Sequence, residues 1–166
     1  MKQIKTLLLA ITLCFATVSL TQAQSKIAHI NTQELIAAMP AAKKAQAEIE
    51  ALGKTYQTDI QASITEYQNT VKQFEAEAST KTDEENQKRG LELQEKQQRI
   101  QQFRADAQKD LAAKEAELFK PIQEAAMNAI NEVAKAKGYD YVLDRATVIV
   151  ANGTDILADV KTQLGI

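Results

Sequence analysis

From residue 40 onward the large apolar side chains recur at a helical interval. Ile49, Leu52, Tyr56, Ile60, Ile64, Tyr67, Val71 and Phe74 are separated by 3, 4, 4, 4, 3, 4 and 3 residues. That spacing keeps them on one narrow stripe of a single long helix, close to the coiled-coil period. Pro40 suits the first helical position, where its missing N–H costs nothing. The stripe ends at Ala78-Ser79-Thr80-Lys81, and Thr82-Asp83-Glu84-Glu85 then reads as a capping box opening a second long helix. Leu93, Ile100, Ala107 and Lys114 recur there every seven residues, beside Gln97, Arg104, Leu111 and Leu118. The stripe strengthens at Phe119, Ile122, Ala126, Ile130 and Val133, with a kink expected at Pro121, and Gly138 after Lys135-Ala136-Lys137 is a stop signal. Residues 40–137 thus predict an antiparallel helical hairpin with its turn near 78–82. An arm of about 38 residues would reach ~57 Å at 1.5 Å per residue.

On both sides of the hairpin the period shortens. Ile27-Ala28-His29-Ile30 is a short strand-like run, and Asn31 with Glu34 caps a brief helix that Met39-Pro40 interrupts. After Gly138, Tyr139 to Asp144 and Thr147 to Ala151 are β-branched and aromatic runs. Asn152-Gly153 predicts a turn, and Thr154 or Asp155 caps a last amphipathic helix carrying Ile156, Leu157, Val160 and Leu164. A lone strand is unstable in water. Ile27–Ile30 is therefore expected to pair with the C-terminal strands, so that the chain ends close one small sheet and the hairpin protrudes from it. The expected fold is mainly α with a small β body, built from 24–39 and 138–166. Such a body has exposed edges and a thin core, which argues for oligomerisation. Ile27, Ile30, Val142, Leu143, Val148, Val150, Ile156 and Val160 are its expected apolar residues.

The start of the chain sets a compartment. Lys2 and Lys5 precede the apolar run Leu7 to Leu20, with Thr21 and Ala23 at a cleavage spacing. Fourteen residues cover ~21 Å, short of the ~30 Å hydrocarbon core. Residues 1–23 therefore read as a secretory signal cleaved after Ala23. The lone Cys14 leaves with it, so the mature chain must hold together by packing or assembly. The whole chain has 22 acids against 20 bases. That balance gives no support to nucleic-acid binding.

Chemical motifs are few. Gly53-Lys54-Thr55 echoes the end of a phosphate-binding loop, but Glu48 stands where the earlier glycine is needed, and no nucleotide site is expected. His29 is the only histidine, too little for a metal centre. No catalytic residue, metal or cofactor is expected, and the chain reads as a non-enzyme. Gln57, Gln61, Gln68, Gln97, Gln98 and Gln101 give the arms an uncharged polar flank.

The signal, Lys26-Ile27-Ala28, the strand Val142-Leu143-Asp144, and Asp155-Ile156 to Val160 with Leu164 together resemble the Skp (OmpH-like) family of periplasmic chaperones. The resemblance covers the whole mature chain in layout. It implies a homo-trimer with a barrel-like body, whose arms enclose a cavity holding unfolded outer-membrane proteins without ATP. Tyr67, Phe74 and Phe103 are candidate client contacts, against the rival reading that all three belong to the seam between the arms. The tip mixes Lys81, Lys88 and Arg89 with Asp83, Glu84 and Glu85, so membrane or lipopolysaccharide contact there is doubtful. An envelope scaffold binding one folded partner is the alternative.

Overall fold

The computed structural model describes residues 25–166, and the expected signal segment lies outside them. Strand β1 (Ile27–Ile30) leads into helix α1 (Thr32–Ala38), whose cap Asn31 accepts a 3.0 Å hydrogen bond from the Glu34 amide. Helix α2 (Pro40–Glu77) forms the outgoing arm. A single 3-10 turn at Ala78–Thr80 reverses the chain into helix α3 (Asp83–Lys137), the returning arm. The expected capping box is formed there. Thr82 Oγ1 accepts from the Glu85 amide, and the Glu85 carboxylate accepts from the Thr82 amide. α3 runs unbroken through Pro121 and ends at Gly138, which takes the left-handed conformation at φ 67° that a side chain would resist.

Strand β2 (Tyr141–Asp144), the two-residue strand β3 (Thr154–Asp155) and helix α4 (Leu157–Gln163) complete the body. The sheet order is β2-β1-β3, with both neighbours parallel to β1. Ala28 lies opposite both Val142 and Thr154, so the ends of the described chain do close one sheet. One expectation fails. Thr147 to Ala151 is not a strand: a 3-10 turn covers Arg145–Thr147 and the following residues take no regular form. The third strand is Thr154–Asp155, starting five residues beyond the β-branched run's centre. β2 and β3 take both edges of β1, and the run adds to neither of the outer edges that the sheet leaves open. The Asn152-Gly153 turn also differs from expectation. Gly153 lacks positive φ and leads directly into β3, and the cap position of α4 is Ile156 rather than Thr154 or Asp155, although Asp155 Oδ1 accepts from the Leu157 amide.

Alternation along β1 turns Ala28 and Ile30 inward and Ile27 and His29 outward. Ala28, Ile30, Leu35, Ile156 and Val160 are essentially fully buried. The same cluster takes in Ala42 and Ala45 of α2 and Ile122, Ala126, Ala129, Ile130 and Val133 of α3. The bases of both arms therefore belong to the body core. Small alanines let the helices approach the sheet closely, and the arms inherit their direction from that packing.

Candidate functional site: the helical arms and the outer face of the body

Two regions leave apolar surface accessible: the seam along the arms and the outer face of the sheet. The seam follows the apolar periodicity closely on α2. On α3 its half-buried row is Arg89, Leu93, Lys96, Ile100, Phe103 and Ala107, whereas Gln97 and Arg104 face solvent. The expected flank was thus one residue off. Its steps of four and three alternate except at Phe103-Ala107-Leu111, where two fours follow one another, and the alternation resumes through Lys114 and Leu118. On α2 the steps of four and three likewise alternate, from Ala45 to Phe74, except along Leu52-Tyr56-Ile60-Ile64, where fours follow one another. Seven favours a left-handed supercoil and eleven a slightly right-handed one. Successive fours bring the repeat locally toward eleven, and both arms have them at one level, where Tyr56 and Phe103 meet edge to face with ring centroids 6.0 Å apart. The Tyr56 hydroxyl donates to Asp110 at 2.6 Å, and that bond raises the phenol above its ordinary pKa.

Just beyond this level toward the tip, the arms part around a notch of about 270 Å³. Ser63, Tyr67, Ile100 and Phe103 line it, with Glu66, Lys96 and Arg99 at its rim. Ser63 contributes only a small side chain to this lining. Lys96 donates to Glu66 at 2.8 Å and, by that bond, holds the Glu66 carboxyl below its ordinary pKa. At the tip, Arg89 lies over the Phe74 ring at 4.6 Å and pairs with Glu77 at 2.5 Å. Glu77 is lowered by its hydrogen bonds from Gln73 and Arg89. Tyr67, Phe74 and Phe103 are therefore all half-buried between the arms, and Tyr67 and Phe103 share one opening. Lys96, Arg99 and Asp110 were not singled out in the sequence. Their signal was position, one turn from an apolar seam residue.

On the body, Ile27, Tyr141 and Leu143 share the outer face of the sheet at 48, 59 and 42 % exposure. Ile149 and Val150, in the segment between β2 and β3, are 102 and 67 % exposed. Of the expected body residues, Ile30, Ile156 and Val160 lie inside the single-chain core and Val142 packs against it. Val148 is half-buried, and Ile27, Leu143 and Val150 remain in water. His29 points outward yet is 6 % exposed, its Nε2 3.1 Å from the Gly153 carbonyl. On the inner side, a groove of about 660 Å³ runs between β2 and α3, floored by Ile30, Ala126, Ile130 and Val142. Ile36, Phe119 and Met127, which border the grooves at the arm bases, were likewise not anticipated as surface features. Among the described residues no group of acids and His could hold a metal ion, and no helix is long and apolar enough to cross a membrane.

Comparison with known proteins agrees with this layout. The model of the family described as outer membrane protein (OmpH-like) matches residues 26–164. The chaperone protein Skp of Pectobacterium atrosepticum is 24% identical over 153 residues, covering 92% of this chain and 93% of that protein. Skp of Photorhabdus luminescens is 26% identical over 144 residues, covering 86% and 87%. A crystal structure from Caulobacter crescentus, of a protein taken for an OmpH-like outer membrane chaperone, superposes with a TM-score of 0.76 at 20% identity. It covers 84% of this chain and 83% of that one. With its strand-closed body, its single long hairpin and a family match across nearly all of the described residues, the chain belongs to the OmpH-like family.

Proposed function

We propose that this protein is an ATP-independent holdase of the periplasm, binding unfolded outer-membrane proteins between its arms and preventing their aggregation. The observation that carries the reading is the arm itself. A 38-residue helix and the start of a 55-residue one extend from a small body with only a half-buried seam to join them. Such arms can surround a chain but form no compact pocket for a folded substrate. An unfolded β-barrel chain exposes apolar surface and unpaired strand edges, and many weak contacts along an arm suffice to shield both. No step in this needs a nucleotide or a catalytic group.

Tyr67 and Phe103 at the notch are the proposed client contacts, because there the seam is open. Phe74, held under Arg89, serves the tip. Three copies would assemble through the outer face of the sheet. Ile27, Tyr141, Leu143, Ile149 and Val150 form an apolar surface of the kind that marks interfaces.

The decisive experiment dilutes a urea-unfolded outer-membrane barrel protein into buffer with and without the protein from residue 24 onward, nucleotide absent, and records light scattering. Suppression near one assembly per client is expected. Unchanged aggregation alongside a folded oligomer would discard the holdase reading and leave a scaffold. Tyr67→Ala and Phe103→Ala refine the contact assignment. Each should weaken client binding by more than its loss of hairpin stability explains, whereas stability loss alone would make both purely seam residues.

A further inference from the structure

Asparagine followed by glycine occurs once in the sequence, at Asn152-Gly153, although the chain has five other asparagines. The structure treats those five differently. Asn69, Asn86, Asn128 and Asn131 lie within helices, where the next residue's N–H is engaged in the helical ladder and cannot swing to the side chain. Asn31 caps α1, its side-chain oxygen held by the Glu34 amide. Only Asn31 and Asn152 lie outside helix and strand, and of these Asn152 alone is exposed, as is Gly153. No turn requirement explains the glycine, because its φ is not positive.

We propose that Asn152-Gly153 is a site of spontaneous intramolecular modification, and that the reaction loosens the β3 edge of the body. The deprotonated Gly153 main-chain nitrogen attacks Asn152 Cγ. A C–N bond forms, the Cγ–Nδ2 bond breaks, and ammonia departs with the proton supplied by water. The resulting five-membered succinimide is opened by water at one of its two carbonyls. Opening at Cγ leaves aspartate. Opening at the main-chain carbonyl leaves isoaspartate, with the backbone routed through the former side chain and longer by one carbon. Either product replaces an NH₂ by a hydroxyl oxygen, ionised at neutral pH, for a gain of about one mass unit.

The consequence follows from what Gly153 holds. Its carbonyl is the acceptor 3.1 Å from His29 Nε2, and His29 Nδ1 is already buried without a partner. β3 consists of only Thr154 and Asp155, paired to Ala28 and His29, and the Ile156 amide donates to the His29 carbonyl at 3.0 Å. An extra backbone carbon immediately before this strand displaces the Gly153 carbonyl or the strand register. Displacing the carbonyl leaves a buried imidazole with both nitrogens unsatisfied, which is costly. The aspartyl product keeps the backbone length and should leave the contact intact. The inference does not depend on what the arms bind.

The test ages the protein, residues 24–166, at pH 8 and 37 °C, and follows intact mass and peptide maps with isoaspartyl methyltransferase labelling. Mass gain confined to residue 152 over days is expected, with isoaspartate the larger product. Gly153→Ala should slow it by an order of magnitude. That variant should fold, since a Cβ there would meet Ile27 O at 3.5 Å and His29 Cδ2 at 3.8 Å, both ordinary contacts. Asn152→Asp should melt like the fresh protein, and the separated isoaspartyl form should melt lower. No gain at residue 152, or equal gain at the helical asparagines, overturns the site. An isoaspartyl form that melts like the fresh protein overturns the consequence.

Discussion

At the scale of single residues, stability is concentrated in a few side chains near the sheet. Leu35 is 0 % exposed and packs α1 onto the core, whereas Leu91 on the returning arm is 56 % exposed. Leu35→Ala should therefore destabilise by about 2–5 kcal/mol, and Leu91→Ala by no more than about 0.5 kcal/mol. Urea titration followed by circular dichroism separates the two; equal losses would mean that the body core is not what holds the fold. Asp144 is a second such residue. The Thr32 hydroxyl and the Ala146 amide both donate to its carboxylate, tying β2 to α1 and to the following turn. Chiefly through the Thr32 bond, its carboxyl is held below the ordinary value. A group whose folded pKa is depressed stabilises the fold above its unfolded pKa, about 3.9 for Asp. That contribution disappears as pH falls through the lower folded value. Glu66, Glu77 and Glu85 shift the same way, but on the exposed arm surface solvent screens them. Stability should thus decline below about pH 4, and Asp144→Asn should lower it at neutral pH and flatten part of the acid slope. An unaltered slope in that variant would assign the acid sensitivity elsewhere.

At the scale of elements, what the sequence made legible depended on whether local chemistry decided the outcome. The Thr82–Glu85 box, the Asn31 cap, Pro40 and Gly138 all act within one helical turn, and each lies where its residues place it. Thr82→Ala should remove the cap for about 0.5–2 kcal/mol of local helix stability. It should speed amide exchange over the first turn of α3 while leaving exchange in β1 unchanged. Faster exchange in both would mean that the arms and body open together. The misread features are those decided by distant partners. Thr147 to Ala151 has the composition of a strand, but a strand also needs a partner, and the place beside β1 goes to Thr154–Asp155 instead. Gln97 and Arg104 keep the seven-residue step, yet the facing helix selects Lys96 and Phe103 instead, whose long stem and ring reach the seam. The notch was invisible for the same reason. Ser63 is unremarkable in a helix and lines a gap only together with Ile100 and Phe103 of the other arm.

At the scale of the whole molecule, the exposed β-branched run that failed to form a strand is the feature a single chain leaves unexplained. Ile149 and Val150 stand fully or largely in water, as do Ile27, Tyr141 and Leu143 in good part, in a body whose core is supplied by aliphatic side chains and alanines. Solvating five large apolar side chains on one small body is unfavourable by roughly 25 cal/mol per Å² that a partner could cover. The outer edge of β2 is open in this chain, since β1 takes only its inner edge. A second copy could therefore cover the apolar face and also supply backbone partners that β2 lacks. On this argument the double variant Ile149→Asp, Val150→Asp should dissociate the proposed trimer without unfolding the chain, because both side chains are already in water. Sedimentation velocity should show the smaller species while circular dichroism keeps its helical signal. Suppression of client aggregation should fall with assembly, since one hairpin alone encloses nothing. A variant that sediments as the parent protein does would remove this face from the assembly. One that dissociates yet still suppresses aggregation would show that a single pair of helices is sufficient to hold a client.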